Sequence, residues 1–197
     1  NFPTTVGGID PVTDPGVNAL LVHLDGSGVA ILSSTVFGGR MAETADGIAR
    51  ASDGDVILAG STTSDDFPTT PGCVDSTFNS PGLNDVFVVR LSPDCAVLRF
   101  GTYLGGAEHD YGTSVTVDST GAAFVTGTTT SVDYPTTPGA FDTVQSVDNP
   151  DAYVSRLDAT GSTLLYSTFI GGSLSEDGTA IAVDGLNRAT VTGTTNS

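Results

Sequence analysis

Lysine and tryptophan are absent from this 197-residue chain, and cysteine, histidine and methionine number two, two and one. Against 6 arginines stand 23 Asp and Glu, giving a formal net charge of −17. Nucleic-acid affinity rests on Lys and Arg, so this balance argues against DNA or RNA as a partner. Anionic membrane surfaces are disfavoured for the same reason. Long apolar runs are missing too: hydrophobic residues come in stretches of four to eight, far short of the ~20 that cross a bilayer, so no membrane span is expected. Asn1-Phe2-Pro3-Thr4-Thr5 has neither the basic nor the apolar part of a leader. Catalytic equipment is equally sparse. His23 and His109 lie far apart in sequence, no Gly-x-Ser-x-Gly elbow occurs, and no glycine-rich phosphate loop opens a helix. His109 beside Asp110 is the single local His–carboxylate pair, and the expectation is that the chain is not an enzyme.

What the chain does have is self-similarity at a fixed period. Phe2-Pro3-Thr4-Thr5 returns as Phe67-Pro68-Thr69-Thr70 and Tyr134-Pro135-Thr136-Thr137, at spacings of 65 and 67. Gly38-Gly39 returns as Gly105-Gly106 and Gly171-Gly172, at spacings of 67 and 66. Gly60-Ser61-Thr62-Thr63-Ser64 has counterparts at 127–131 and 193–197. These anchors divide the chain into units 1–65, 66–132 and 133–197, one continuous domain. In the second unit, short β-branched and aromatic runs at 85–91, 96–104, 112–117 and 122–126 are bounded by Gly, Pro, Asp and Ser. Such runs read as four strands joined by hairpins, with a long irregular connection over 66–84.

Four antiparallel strands are the content of one propeller blade, and a lone blade has two apolar faces that neighbours must cover. The succession Phe67-Pro68-Thr69-Thr70-Pro71-Gly72, Asp85-Val86-Phe87-Val88-Val89-Arg90-Leu91, Tyr103-Leu104-Gly105-Gly106 and Val117-Asp118 to Gly127 resembles the bacterial seven-bladed beta-propeller (SBBP) repeat family. The first unit departs from it: Val6-Gly7-Gly8 replaces the usual turn, His23 stands for Arg, and Ala51 stands for the turn Asp. The resemblance implies an all-β architecture of three propeller-type blades of four antiparallel strands each, an extracellular setting, and no reaction. Three blades cannot close a ring. The expected form is therefore an incomplete propeller or open array completed by other subunits, as a ring or a filament.

Glu43, Asp110 and Glu176 each follow the double glycine by four residues, and His23, Arg90 and Arg156 recur on the first strand. Charge-assisted pairing between these two series, with Arg90, Arg156, Asp110 and Glu176 as structural ion pairs, is the expectation. Calcium is the alternative for Glu43, Asp110 and Glu176, and Asp65-Asp66, Asp148 and Asp151 are weak calcium candidates beside them. No EF-hand spacing exists, and the turn aspartates at 53, 118 and 184 suit tight hairpins. The Phe-Pro-Thr-Thr segments read as steric anchors, and the Thr-rich strand exits as satisfiers of backbone groups. Cys73 and Cys95 occur in one unit without counterparts in the others, which favours a disulfide between them and an oxidising compartment; free buried thiols are the alternative. The function expected is an extracellular or cell-surface structural repeat protein, a homo-oligomer or filament with scaffold or adhesive character and no cofactor. A carbohydrate- or calcium-binding module with glycans as partners is the alternative.

Overall fold

The computed structural model describes residues 2–5, 9, 16–146 and 148–197. Expectations resting on Asn1 and on Val6-Gly7-Gly8 lie outside them. Every regular element among the described residues is a strand. The first unit supplies β1 (Ala19–Leu24), β2 (Ile31–Phe37), β3 (Glu43–Arg50) and β4 (Val56–Thr62). The second supplies β5 (Asp85–Leu91), β6 (Leu98–Leu104), β7 (Asp110–Val117) and β8 (Ala123–Thr129). The third supplies β9 (Asp151–Leu157), β10 (Leu164–Ile170), β11 (Glu176–Val183) and β12 (Ala189–Thr195).

These strands form two full antiparallel sheets, β3-β4-β5-β6 and β7-β8-β9-β10, flanked by the two-stranded β1-β2 and β11-β12. None is closed into a barrel, and the result is an open, propeller-like array. Each full sheet draws its first two strands from one sequence unit and its last two from the next. The reason lies in the connections. Tight turns close β1 on β2 and β3 on β4, the first led by Asp25, which accepts from the amides of Val29 and Ala30. The double glycine after β2 and β6 carries the chain into a new sheet. After β4, the long connection returns so that β5 pairs with β4 from Val56↔Leu91 to Thr62↔Asp85. The same happens at β8 and β9, from Ala123↔Leu157 to Thr129↔Asp151.

Three hydrophobic layers hold the sheets face to face. Ile57, Val86, Val88, Phe100 and Leu104 of one full sheet meet Val125, Tyr134, Tyr153, Leu157 and Phe169 of the other. Ala19, Leu21 and Phe37 cover the opposite face of the first full sheet. Phe124 and Val154 meet Ile181 beyond the second. The leading strands β3, β7 and β11 lie in sequence against one another. Each of their hairpins carries a bulge, at Ala45/Gly47, Gly112/Ser114 and Gly178/Ala180. Opposite each bulge sits Gly60, Gly127 or Gly193, where a Cβ would strike the carbonyl of Thr44, Tyr111 or Asp177.

The Phe-Pro-Thr-Thr segments are anchors. Phe67 stacks on Phe87 with centroids 4.6 Å apart, and its amide donates to the Tyr103 hydroxyl. Tyr134 lies 4.5 Å from Tyr153, its ring tilted by 36°. The Thr70, Thr137 and Thr5 amides donate to the carbonyls of Gly101, Ser167 and Ser34, tying each connection to the outer strand of its sheet.

Candidate functional site: carboxylate cages and open sheet ends

The two charged series do not pair with each other. Arg90 Nε and Nη2 reach Asp55 at 2.9 Å and Asp53 at 2.6 Å, and Nη1 donates to the carbonyls of Gly121 and Ala159 in the next sheet. Arg156 Nη2 reaches Asp118 at 2.6 Å, while its guanidinium carbon stands 4.9 Å from the centre of the Phe124 ring. His23 meets Arg50 at 3.4 Å. Where the repeat lacks its turn aspartate, at Ala51, Asp53 and Asp55 take over the arginine. The expected pairing fails because the two series sit at opposite ends of the strands: the acidic residues open β3, β7 and β11, whereas the basic ones lie near the far ends of β1, β5 and β9.

The acidic series is instead caged by hydroxyls and amides. Glu43 accepts from Thr62 and Ser64 at 2.8 and 2.5 Å. Asp110 accepts from Thr129, from Ser131 at 2.9 Å and from the Gly106 amide at 2.7 Å. Glu176 accepts from Thr195, Ser197 and the Gly172 amide at 2.7, 2.6 and 2.7 Å. The Thr-rich strand exits therefore serve these carboxylates as well as the backbone. Burial outweighs the donors at Asp110 and pushes it up to about 7. Glu176, on the open β11-β12 sheet, falls below the usual range because the Ser197 and Thr195 hydroxyls and the Gly172 amide donate to it.

A second carboxylate sits beside each of the later cages; the sequence pointed to Asp151 as a weak calcium candidate and not to Asp85. Asp85 and Asp151 open β5 and β9, are 0% and 1% exposed, and are both pushed upward by burial. Their signal was available in the period: Asp85/Asp151 and Ser80/Ser146 each recur at a spacing of 66. Of the other calcium candidates, Asp66 is engaged by the Arg40 amide and guanidinium at 2.9 and 3.1 Å. Asp65 lies exposed beside it, and Asp148 occupies a left-handed turn position at φ 70°. Among the described residues no three His, Cys, Asp or Glu side chains gather at one point.

Cys73 and Cys95 are free thiols rather than the expected disulfide. Cys95 points into the layer shared with β1-β2, its sulfur 3.5 Å from Ser33 Oγ. The chain at Cys73 runs along the other side of the sheet: Val74 packs into the layer between the two full sheets, and its amide donates to Gly161 O. His109 and Asp110 do not meet either. His109 stacks on Tyr111 with centroids 5.7 Å apart, and the Asn84 amide lies 3.2 Å from both of their polar atoms. That flat pair lines a groove with Asp46, Thr113, Thr128 and Asp177.

The open ends are the largest departure from a finished fold. On β1, Leu20 and Leu24 are 54% and 50% exposed, whereas their counterparts Phe87 and Leu91 on β5, and Tyr153 and Leu157 on β9, are 0% exposed. At the other end a groove of about 490 Å³ runs between β12 and the outer strands of the last full sheet. Its apolar wall is Ala152, Val154, Tyr166 and Ile170. The residues in the same positions of the first full sheet, Val86, Val88, Phe100 and Leu104, are buried by the sheet that follows.

This architecture defines an open array of propeller-type sheets whose ends are unfinished among the described residues. Comparison with known families agrees: residues 99–135 match the family model of the Beta-propeller repeat, SBBP. The match spans β6 to β8 and reaches the Tyr134-Pro135 anchor; one repeat is detected, not three. No curated protein matches the chain.

Proposed function

We propose that this chain is a structural and interaction module, working outside the cell or at its surface, that joins end to end with copies of itself into a ring or filament. The observation that carries the reading is the complementarity of its two half-sheets. β11-β12 has the position of β3-β4 and β7-β8, and β1-β2 has that of β5-β6 and β9-β10. Transposing the β4-β5 and β8-β9 registers sets Thr195 opposite Asn18, Val191 opposite Val22 and Ala189 opposite Leu24 of the second copy. Leu20 and Leu24 then cover the Ala152, Val154, Tyr166 and Ile170 wall. Covering the exposed half of each leucine adds roughly 1 kcal/mol, on top of the backbone pairing that an open strand edge invites. Asp184, held within one copy by Arg188, takes the place of Asp118 and faces His23 of the next copy where the inner sheet has Arg156.

The extracellular setting draws on the family resemblance and on an acidic, lysine-free surface that discourages non-cognate contact; the free thiols lend it no support. Sedimentation at micromolar concentration and negative-stain micrographs test the assembly. Wild type is expected as closed rings or fibres, and Leu20→Asp with Leu24→Asp as a folded monomer. A wild type that stays monomeric overturns the reading. If that monomer is retained on a glycan column, the stacked His109–Tyr111 face becomes the better account of function.

A further inference from the structure

The double-glycine crossovers after β6 and β10 carry oxygen clusters that no basic side chain enters, the first buried and the second partly open. At the first, Ser80 Oγ lies 2.6 Å from Asp85 Oδ1, 2.9 Å from Gly106 O and 2.7 Å from Glu108 O. A hydroxyl has one proton, so it satisfies one of these three acceptors and confronts the other two with lone pairs. Behind it, the carboxylates of Asp85 and Asp110 converge on Gly105, where a Cβ would strike both. Both aspartates are fully buried, and no ion pair among the described residues reaches either. Two buried carboxylates without a countercharge are costly.

The arrangement recurs one period later. Ser146 Oγ donates to Gly172 O, and its amide donates to Asp151 Oδ2 at 2.8 Å. Asp151 is 1% exposed, rests against Gly171, and its Oδ1 has no hydrogen-bond partner. That orphaned oxygen is independent of the hydrogen bonds around it, and it marks where a positive ligand belongs.

We propose that each cluster is a divalent-cation site, calcium by its chemistry. Asp85 Oδ1, Ser80 Oγ and the carbonyls of Gly106 and Glu108 ligate at one junction; Asp151 Oδ1, Ser146 Oγ and the Gly172 carbonyl ligate at the next. All donors are oxygens, as a hard cation of flexible coordination requires, and water completes the set. Asp110 and Glu176 stand behind the ligands and supply the second negative charge. One direct carboxylate per ion suits the roughly 10⁻⁴ to 10⁻³ M affinities of extracellular modules. Bound there, the ion fastens the double-glycine crossover of one sheet to the connection that leads into its neighbour. At the crossover after β2, Asn18 stands at the position of Asp85, so two ions per chain are expected rather than three.

Calorimetry of chelator-stripped protein with calcium chloride tests this, alongside thermal unfolding in calcium and in EDTA. Two ions per chain and a midpoint rise of about 3–6 °C per site at calcium tenfold above its dissociation constant are expected. Asp85→Asn and Asp151→Asn should each remove one ion, and Asp65→Asn none. Should an aspartate variant not fold, Ser80→Ala in the otherwise intact chain should still weaken one site. No heat and no midpoint shift up to millimolar calcium overturns the proposal, as does unchanged stoichiometry in the Asp85→Asn/Asp151→Asn double variant. A cluster that merely holds a proton would leave calcium without effect and make Asp85→Asn more stable than wild type, which also overturns it. None of these results depends on whether the chain assembles.

Discussion

Replacing Arg90 by alanine isolates the strongest polar link between the two full sheets. Its side chain is 8% exposed and spends all three nitrogens: Nε on Asp55 at 2.9 Å, Nη2 on Asp53 at 2.6 Å, and Nη1 on the carbonyls of Gly121 and Ala159. Asp53 is 57% exposed, so its share is at most about 1 kcal/mol. Asp55, at 10% exposure, would lose its close partner and keep Arg99 at 3.6 Å. Breaking a buried pair by removing one member costs about 3–5 kcal/mol, and the Arg99 contact places Arg90→Ala near the lower end, about 3 kcal/mol. Arg156 is the internal comparison. It is 20% exposed, makes one carboxylate contact, and its Nε has no partner; Asp118 retains the Thr120 and Ala122 donors without it. Arg156→Ala should therefore cost about 1–2 kcal/mol. Urea unfolding monitored by tyrosine fluorescence measures both, read as midpoint shifts at constant slope. Equal losses for the two variants, or a loss below about 1 kcal/mol for Arg90→Ala, would refute the idea that this guanidinium clamps adjacent sheets.

Acid should act through the turn aspartates. Burial alone would raise Asp118, but the Thr120 hydroxyl and amide, the Arg156 guanidinium and the Ala122 amide outweigh it and hold it below 3.8. A carboxyl lowered by folding stabilises the native state above its unfolded value, and that contribution disappears as pH falls through the folded one. Urea midpoints should thus drop below about pH 4, and Asp118→Asn should shallow that decline; an unchanged acid limb contradicts the assignment. The thiols give a simpler check. Cys95 is 1% exposed and Cys73 is partly open. One thiol should react quickly with an aromatic disulfide reagent in the native chain, and a second only on unfolding. Two thiols that appear only after reduction would restore the disulfide.

The strands were legible because their signals are local. Alternating β-branched and aromatic runs such as 85–91, ended by turn residues, carry their conformation within a few positions, and the period repeats that information three times. The Phe-Pro-Thr-Thr anchors were legible for a similar reason, since an aromatic ring before a fixed φ has few places to go but the sheet beneath. The partners of Asp110 were not. A hydroxyl on Thr129 and the amide of Gly106 compete with Arg90 for that carboxylate only once β7 has paired with β8, and the sequence has no term for that pairing. Cys73 and Cys95 failed likewise: both belong to one unit, but the sheet between them separates their sulfurs.

Sequence by itself determined the number and order of strands, the turns between them and the exclusion of a polyanionic partner, because propensity, glycine and proline geometry and net charge are properties of short stretches or of the whole composition. Tertiary structure alone decided that each full sheet borrows half its strands from the neighbouring unit, which carboxylates are left buried without a cation, and which leucines stay uncovered. Those outcomes depend on which distant strand edge meets which, and the pairing energy that chooses among edges exists only when the whole array is assembled.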